Sequence, residues 1–308
     1  MAPDVSVVIP THDRWPLVAR SVESALDQEG VTVEVIAVDD GSSDDTAAHL
    51  DARGEPRLRV LRHEVPQGPA GARNAGMALA RGDWVAWLDD DDLWAPHKLR
   101  SQLEAARRAQ ADFAYCDAVL IDREGRVLGL EEAPAAAGFA DRIRVHNVMP
   151  GGCSNLVARA SAVQRVGGFD ARLRVLADWD YWIRLSSMAR PVALHRPLVA
   201  YLLHESNMVV RDVGDVLGEL ETLSRKHPDA ALDAVSYCDW VASGLRRGGR
   251  RWAAARLFLR AAVHYRSPKS LQLAVRAALG DWAVELPRSR RRPPVVTPEW
   301  LRGAEGQS

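Results

Sequence analysis

Four times in the first 110 residues an apolar-rich run gives way to a polar cluster and then to an amphipathic stretch. Val5 to Ile9, Val33 to Val38, Leu58 to Leu61 and Trp84 to Leu88 have the length and character of buried strands. Helical stretches are predicted from about Pro16 to Gln28, from Ser43 or Asp44 as cap to Ala52, from Gly68 through Gly76 towards Arg81, and from Pro96 to Ala109. This alternation predicts a largely parallel sheet with helices on both faces. The strands end in Thr11-His12-Asp13-Arg14, in Asp39-Asp40-Gly41-Ser42-Ser43-Asp44 and in Asp89 to Asp92. Polar chemistry therefore gathers at one sheet edge, the carboxyl ends of the strands, where open α/β sheets bind ligands.

Beyond residue 110 the pattern is less regular. Phe113 to Ile121 reads as a strand, and Asp122 to Gly125 as a turn into Val127-Leu128. Residues 131 to 140 read as a mobile loop, and Met149 to Asn155 as a small-residue loop before Leu156-Val157. Gly167-Gly168 closes a helix begun near Ser161, and a helix starting at Ala177 carries Asp178 and Asp180 in its first turn. Val199 to Leu203 is the last expected strand, ended by His204. From about Asp212 the texture is helical only, with Leu232 to Arg246, Trp252 to Tyr265 and Lys269 to Trp282 as the clearest segments. The expected organisation is an α/β domain over 1–211, a helical extension over 212–285 and a disordered tail over 286–308. The extension reads first as a packed helical array. A basic surface for a membrane or a partner is the alternative, and homo-oligomerisation through these helices stays open.

Composition narrows the class. Hydrophobic residues make up 47% and charged residues 26%, the balance of a soluble globular protein. A net charge of -1 gives no global basic field, so no nucleic-acid partner is expected. Cys116, Cys153 and Cys238 are widely spaced and form neither a disulfide framework nor a zinc pattern. The start, Met1-Ala2-Pro3-Asp4, leads straight into a strand, so no signal peptide is expected. No apolar run approaches the roughly 18 residues of a membrane span. A reducing, cytoplasmic setting follows as the expectation, with peripheral membrane contact left open.

The Asp89 to Asp92 run is the strongest local feature. Four adjacent carboxylates repel, and withdrawing them from water costs several kcal/mol unless something positive compensates. A hard divalent cation sharing one or two carboxylates with substrate phosphates is the natural compensation. A solvated acidic loop is the plain alternative.

Six motifs in order resemble the family 2 glycosyltransferases. They are Val-Val-Ile-Pro-Thr-His-Asp-Arg14, Val-Asp-Asp-Gly-Ser-Ser-Asp44, Gly-Ala-Arg-Asn-Ala-Gly76, Trp-Leu-Asp-Asp-Asp-Asp-Leu-Trp94, Val-Gly-Gly-Phe-Asp170 and Ala-Asp-Trp-Asp-Tyr-Trp-Ile-Arg184. The resemblance implies a GT-A fold, a Rossmann-like, mostly parallel mixed sheet flanked by helices. It implies inverting transfer of a sugar from a nucleotide-diphosphate donor, UDP-sugar first, with Mn²⁺ or Mg²⁺. The acceptor would be a hydroxyl on a saccharide, lipid-linked saccharide, peptide or small natural product.

It also implies roles. Pro10 and Asp13 would lie against the nucleoside, Asp40 would accept from the base, and Arg73 would face the base or diphosphate. Asp91 would ligate the metal directly, and Asp89 would contact the ribose or metal-bound water. Asp90 and Asp92 are ambiguous because the register of the Asp-x-Asp motif slips by one residue. Asp178 would be the general base, although Ala177 stands where the family often has Glu, and Asp180 is its rival by proximity. His204 would reach the diphosphate or metal. The competing structural readings are helix capping for Asp40, an ion pair for Arg73, helix-terminus stabilisation for Asp178 and Asp180, and a strand-end role for His204. A nucleotidyltransferase and a catalytically inactive binding module are the alternative functions.

Overall fold

The computed structural model describes residues 2–204, 215–247, 249–279 and 296–302. These divide into two compact units: residues 2–143, 148–202 and 296–302 in the first, and 144–147, 203–204, 215–247 and 249–279 in the second.

In the first unit the expected apolar runs become the middle of a mixed sheet. Strands β1 (Val5–Thr11), β2 (Val33–Asp39), β3 (Leu58–Arg62) and β4 (Trp84–Trp87) pair in parallel, in the order β3-β2-β1-β4. Strand β8 (Val157–Arg159) then joins antiparallel to β4. It is followed by β6 (Phe113–Ile121), β9 (Pro191–Leu202) and β5 (Leu93–Trp94), with β7 (Val127–Glu131) flanking β6. Every residue of β1 and β2 is buried, as expected for strands covered on both faces.

Helices α1 (Leu17–Leu26) and α4 (Lys98–Ala109) cover one face, meeting Val5, Val7 and Ile9 through Val18, Val22, Leu99 and Leu103. Helix α3 (Gly68–Ala78) covers the other, with Ala72 against Ile36 and Val38. Its approach depends on Gly76, where a β-carbon would run into the side chains of Val8 and Val38. A short α2 (Thr46–Asp51) lies between β2 and β3 in the chain.

The structure corrects several boundaries. Leu93-Trp94, just before the helix expected from Pro96, is a short strand antiparallel to β9. Strand β9 begins at Pro191 rather than Val199; its first half is only partly buried and mixes Pro, His and Arg, which masks the strand signal. The expected mobile loop at 131–140 is anchored by a hydrogen bond from the Ala133 N–H to the Asp117 carboxylate (2.7 Å). Its last residues enter α5 (Phe139–Ile143), with Phe139 buried. The tail expected to be disordered returns to the first unit at 296–302. There Trp300 Nε1 donates to the Pro197 carbonyl (3.0 Å), and Leu301 is buried in α12 (Glu299–Arg302). The expected boundary at 211 and the stretch 286–295 fall outside the described residues. Helices α6 (Ala160–Val166) and α7 (Ala177–Met188) complete this unit.

The second unit is helical, as expected. Its helices are α8 (Val216–Lys226), α9 (Ala234–Arg247), α10 (Arg251–His264) and α11 (Pro268–Leu279). Their buried faces include Leu220, Leu223, Val241, Leu245, Leu257 and Phe258.

Candidate functional site

The loops after β1, β2 and β3 are tied together by acids. Asp13 adopts a left-handed backbone (φ 51°), a conformation that Asp tolerates better than most residues. Its carboxylate accepts the N–H of Ser43 (2.6 Å) and of Asp44 (3.2 Å), while its own N–H donates to Ser42 Oγ (2.9 Å). Asp13 therefore organises the β2 loop, while Asp44, one of the two expected caps, accepts the N–H of Thr46 at the start of α2 (3.0 Å). Asp40 is buried and accepts from the N–H groups of Gln67 (2.8 Å) and Gly68 (2.7 Å), with His63 Nδ1 at 2.7 Å. A carboxylate offers about four lone-pair positions, and three of these are met within the protein. Asp40 is thus pinned at the start of α3. Pro10 is buried within β1, opposite Val38.

The four acids after β4 have four different environments. Asp89 pairs with Arg73 (Oδ1 to Nη2, 2.5 Å), and its N–H donates to Ser154 Oγ (3.0 Å). Asp91 pairs with Arg14 at 3.0 Å. Asp90, partly buried in the same turn, has its carboxyl pushed up to about 7, first by desolvation and then by the charge of Asp91. Asp92 points inward. It is fully buried, meets Ser154 Oγ at 2.5 Å and accepts the Leu202 N–H at 3.0 Å, and burial pushes its carboxyl well up. The three acids that keep some exposure are Asp89, Asp90 and Asp91.

Arg73 joins this edge to the later motifs. It is buried on α3, with its guanidinium 5.6 Å from the Phe169 ring and its Nε without a hydrogen-bond partner. The neighbouring Asn74 accepts the Phe169 N–H (2.7 Å) and donates to the Phe169 carbonyl (2.9 Å). Phe169 stacks on Tyr181 of α7 at 4.3 Å between ring centres and meets Trp87 of β4 edge-on. The Gly-Ala-Arg-Asn, Gly-Gly-Phe-Asp and Ala-Asp-Trp-Asp-Tyr motifs are therefore one packed cluster.

Asp178 sits in the first turn of α7, partly buried, with Oδ1 accepting the Trp179 N–H at 2.6 Å. Its charge acts on Arg73 and on the buried Cys153 thiol, which burial pushes well up. Asp180 is fully buried in an ion pair with Arg184 (2.9 Å to Nε, 2.8 Å to Nη2). Arg184 in turn donates to the carbonyls of Val166 and Gly168, both at 2.8 Å.

The structure thus brings Asp89, Asp90, Asp91, Arg73 and Asp178 to one place and sets Asp13 and Asp40 to holding the adjacent loops. His204 belongs to the second unit, outside the one that carries the other candidates. Sequence reasoning missed Arg14, His63, Asn74, Cys153 and Ser154 as contributors. Arg14 and Asn74 stood inside the quoted motifs, whereas nothing local marks Ser154 or His63. Among the described residues, no group of three or more His, Cys, Asp or Glu is clustered so as to hold a metal by itself. No described helix is long and apolar enough to cross a membrane.

The sequence profile described as glycosyl transferase family 2 matches residues 6–166. The chain belongs to that family. This glycosyltransferase is 44% identical over 126 residues to the succinoglycan biosynthesis protein ExoO of Rhizobium meliloti, covering 41% of this chain and 36% of that one. It is 26% identical over 162 residues to the Escherichia coli UDP-Glc:alpha-D-GlcNAc-diphosphoundecaprenol beta-1,3-glucosyltransferase WfaP, covering 53% of this chain and 63% of that protein. In both cases the match spans less than two thirds of the relative's length. The fold is shared with S. aureus TarS in complex with UDP-GlcNAc, at a TM-score of 0.62, 19% identity, 80% coverage of this chain and 72% of that one. The GT-A architecture follows from the family and from this shared fold.

Proposed function

We propose that this glycosyltransferase moves a sugar from a UDP-sugar onto a hydroxyl of a lipid-linked saccharide, inverting the anomeric carbon in a single displacement. The observation that carries this reading is that Asp89 and Asp178 act on the same buried guanidinium, Arg73. An acid of the donor-binding turn and the candidate base are thereby neighbours, as a one-step transfer requires. Asp178 would take the acceptor proton as the bond forms. A general base of this kind contributes on the order of 10²- to 10⁴-fold in rate. Arg73 would orient Asp89 and offset anionic charge near the donor, its planar fork suiting it to both tasks.

A divalent cation fits the turn. Asp89 and Asp91 keep partly exposed carboxylates in one turn, with Asp90 between them. Mg²⁺ and similar ions are held by one or two carboxylates plus substrate phosphates, so no larger protein cluster is required. Asp91 would hold the ion through a carboxylate oxygen, in competition with its present pairing to Arg14. When bound, such a cation offsets charge on the departing diphosphate. UDP as the nucleotide, and a lipid-linked acceptor, are supported by two E. coli relatives named as UDP-Glc:alpha-D-GlcNAc-diphosphoundecaprenol glucosyltransferases.

The test is UDP release from UDP-glucose, UDP-galactose and UDP-GlcNAc, with undecaprenyl-diphosphate-linked GlcNAc as acceptor, with and without EDTA. Acceptor-dependent release, with a β-linked product by NMR, is expected. No release from any donor, or an α-linked product, would overturn the reading.

A further inference from the structure

The helices of the second unit carry a surface that donor binding does not explain. Between Asp239 and Asp281 the chain contains nine Arg or Lys residues and no Asp or Glu, although the whole chain has 40 basic against 41 acidic residues. Helices α10 and α11 fall in this stretch, and each turns an apolar stripe outward. On α10 the stripe is Trp252, Leu259 and Val263; on α11 it is Leu271, Val275 and Leu279. All six are 49–74% exposed.

At 100° per residue the α10 stripe falls within about 40°, and the buried Leu257, Phe258 and Ala261 lie on the opposite side. Arg256 falls beside the stripe. On α11 the three apolar positions follow one another every four residues, so they too line one side. A helix on a protein surface normally turns charged residues of both signs outward. These two helices contribute only basic charge beside their apolar side chains, while Asp215 and Glu221 from the α8 end of the unit border the groove at Leu259 and Val263, with Glu221 3.3 Å from His264.

We propose that this face docks on an anionic lipid bilayer, with the stripes in the headgroup–acyl boundary and the arginines on lipid phosphates. Apolar faces rimmed by Arg or Lys, with Trp at the boundary, match the chemistry of that interface. A second copy of the chain fits poorly, because it would set cations against cations. A nucleic acid would neutralise the arginines but leave the apolar stripes uncovered. The inference stands apart from the donor-site reading, since it is tested without turnover.

The experiment is flotation of the full-length protein with vesicles of phosphatidylcholine alone and with 30% phosphatidylglycerol, at low and high salt. Binding is expected only with phosphatidylglycerol, and it should weaken with salt. Each Lys or Arg at an anionic surface strengthens partitioning roughly fivefold, so Arg256→Gln with Arg276→Gln should weaken it roughly 30-fold. The triple change Trp252→Ser, Leu259→Ser, Val263→Ser should abolish it while the protein still unfolds cooperatively, because about half or more of each side chain is exposed. Three results would overturn the proposal. The first is no vesicle binding, and the second is binding insensitive to both sets of changes. The third is concentration-dependent self-association, or capture by an acidic protein, that the triple change removes while vesicles are ignored.

Discussion

Asp178 and Asp180 lie two residues apart in one helical turn, and the proposed mechanism gives them opposite duties, so isosteric changes at the two positions should fail in different ways. Asp178→Asn keeps the side chain's size, and the amide oxygen can still accept the Trp179 N–H that Asp178 holds at 2.6 Å. What disappears is the basic oxygen. The expected loss in turnover is therefore that of a general base, about two to four decades. UDP affinity should stay within a few-fold, and thermal unfolding should be unchanged.

Asp180→Asn removes one charge of a fully buried pair and leaves Arg184 uncompensated. Removing one partner of a buried pair costs about 3–5 kcal/mol, and the retained amide oxygen places this case near the lower figure. At about 2–4 °C per kcal/mol for a domain of this size, the unfolding temperature should fall by roughly 6–12 °C. Turnover per folded molecule should fall far less than in Asp178→Asn. Some loss is expected because Arg184 holds the Gly168 carbonyl next to Phe169, which stands over Arg73. The assay pairs UDP release at saturating donor with calorimetric UDP titration and thermal unfolding of both variants. An inactive Asp180→Asn with unchanged stability beside an active Asp178→Asn would refute the assignment. So would a loss below about tenfold in Asp178→Asn, too small for a general base.

Other outcomes follow from single contacts. Asp91→Ala, or EDTA with the unaltered protein, should weaken UDP-sugar binding and abolish transfer; full activity in EDTA would remove the metal from the reading. Lys98 is fully buried over the Trp94 ring, and desolvation lowers it from its ordinary 10.5 to about 7. The unfolded chain then binds the extra proton between those values, so stability should rise with pH from about 7 to 10. Lys98→Met should flatten that rise in denaturant midpoints taken at pH 7 and pH 9, and an unchanged slope would show that Lys98 keeps its charge in the fold. Gly76→Ala forces a methyl group against Val8 and Val38. It should cost about 1–3 kcal/mol, as overpacking does, and a neutral result in urea unfolding would mean that α3 shifts freely.

The parts of the fold legible in the sequence were those where burial is symmetrical. Strands β1, β2 and β4 are buried end to end, so their apolar runs stand out without reference to any partner. The first half of β9 and the two-residue β5 carry no such run, and their pairing is decided by strands distant in sequence. Trp300 looked like part of a polar tail because its contact, the Pro197 carbonyl, lies about a hundred residues upstream. In the site, the residue types were visible and their orientations were not. Four consecutive aspartates are indistinguishable in sequence. Only the buried Ser154 hydroxyl and the Leu202 N–H show that Asp92 belongs to the interior.

That division of the acids also bears on how the site tolerates its own charge. Two of the four carboxylates carry an arginine partner, Arg14 from the β1 loop and Arg73 from α3, and a third is buried against hydrogen-bond donors. Asp90 has its carboxyl pushed up to about 7, first by desolvation and then by the charge of Asp91. Breaking either arginine pair would leave a carboxylate uncompensated beside three others, so these ion pairs are part of what allows the turn to form before any donor arrives. They also bind the order of the motifs to their function. Arg14 follows β1, Arg73 lies on the helix before β4, and both must close onto β4's end for the acids to face one site. The parallel order β2-β1-β4 places these chain segments next to one another. The spacing of motifs along the sequence is in this sense a record of sheet topology, and it explains why motifs that are individually weak are informative in sequence order.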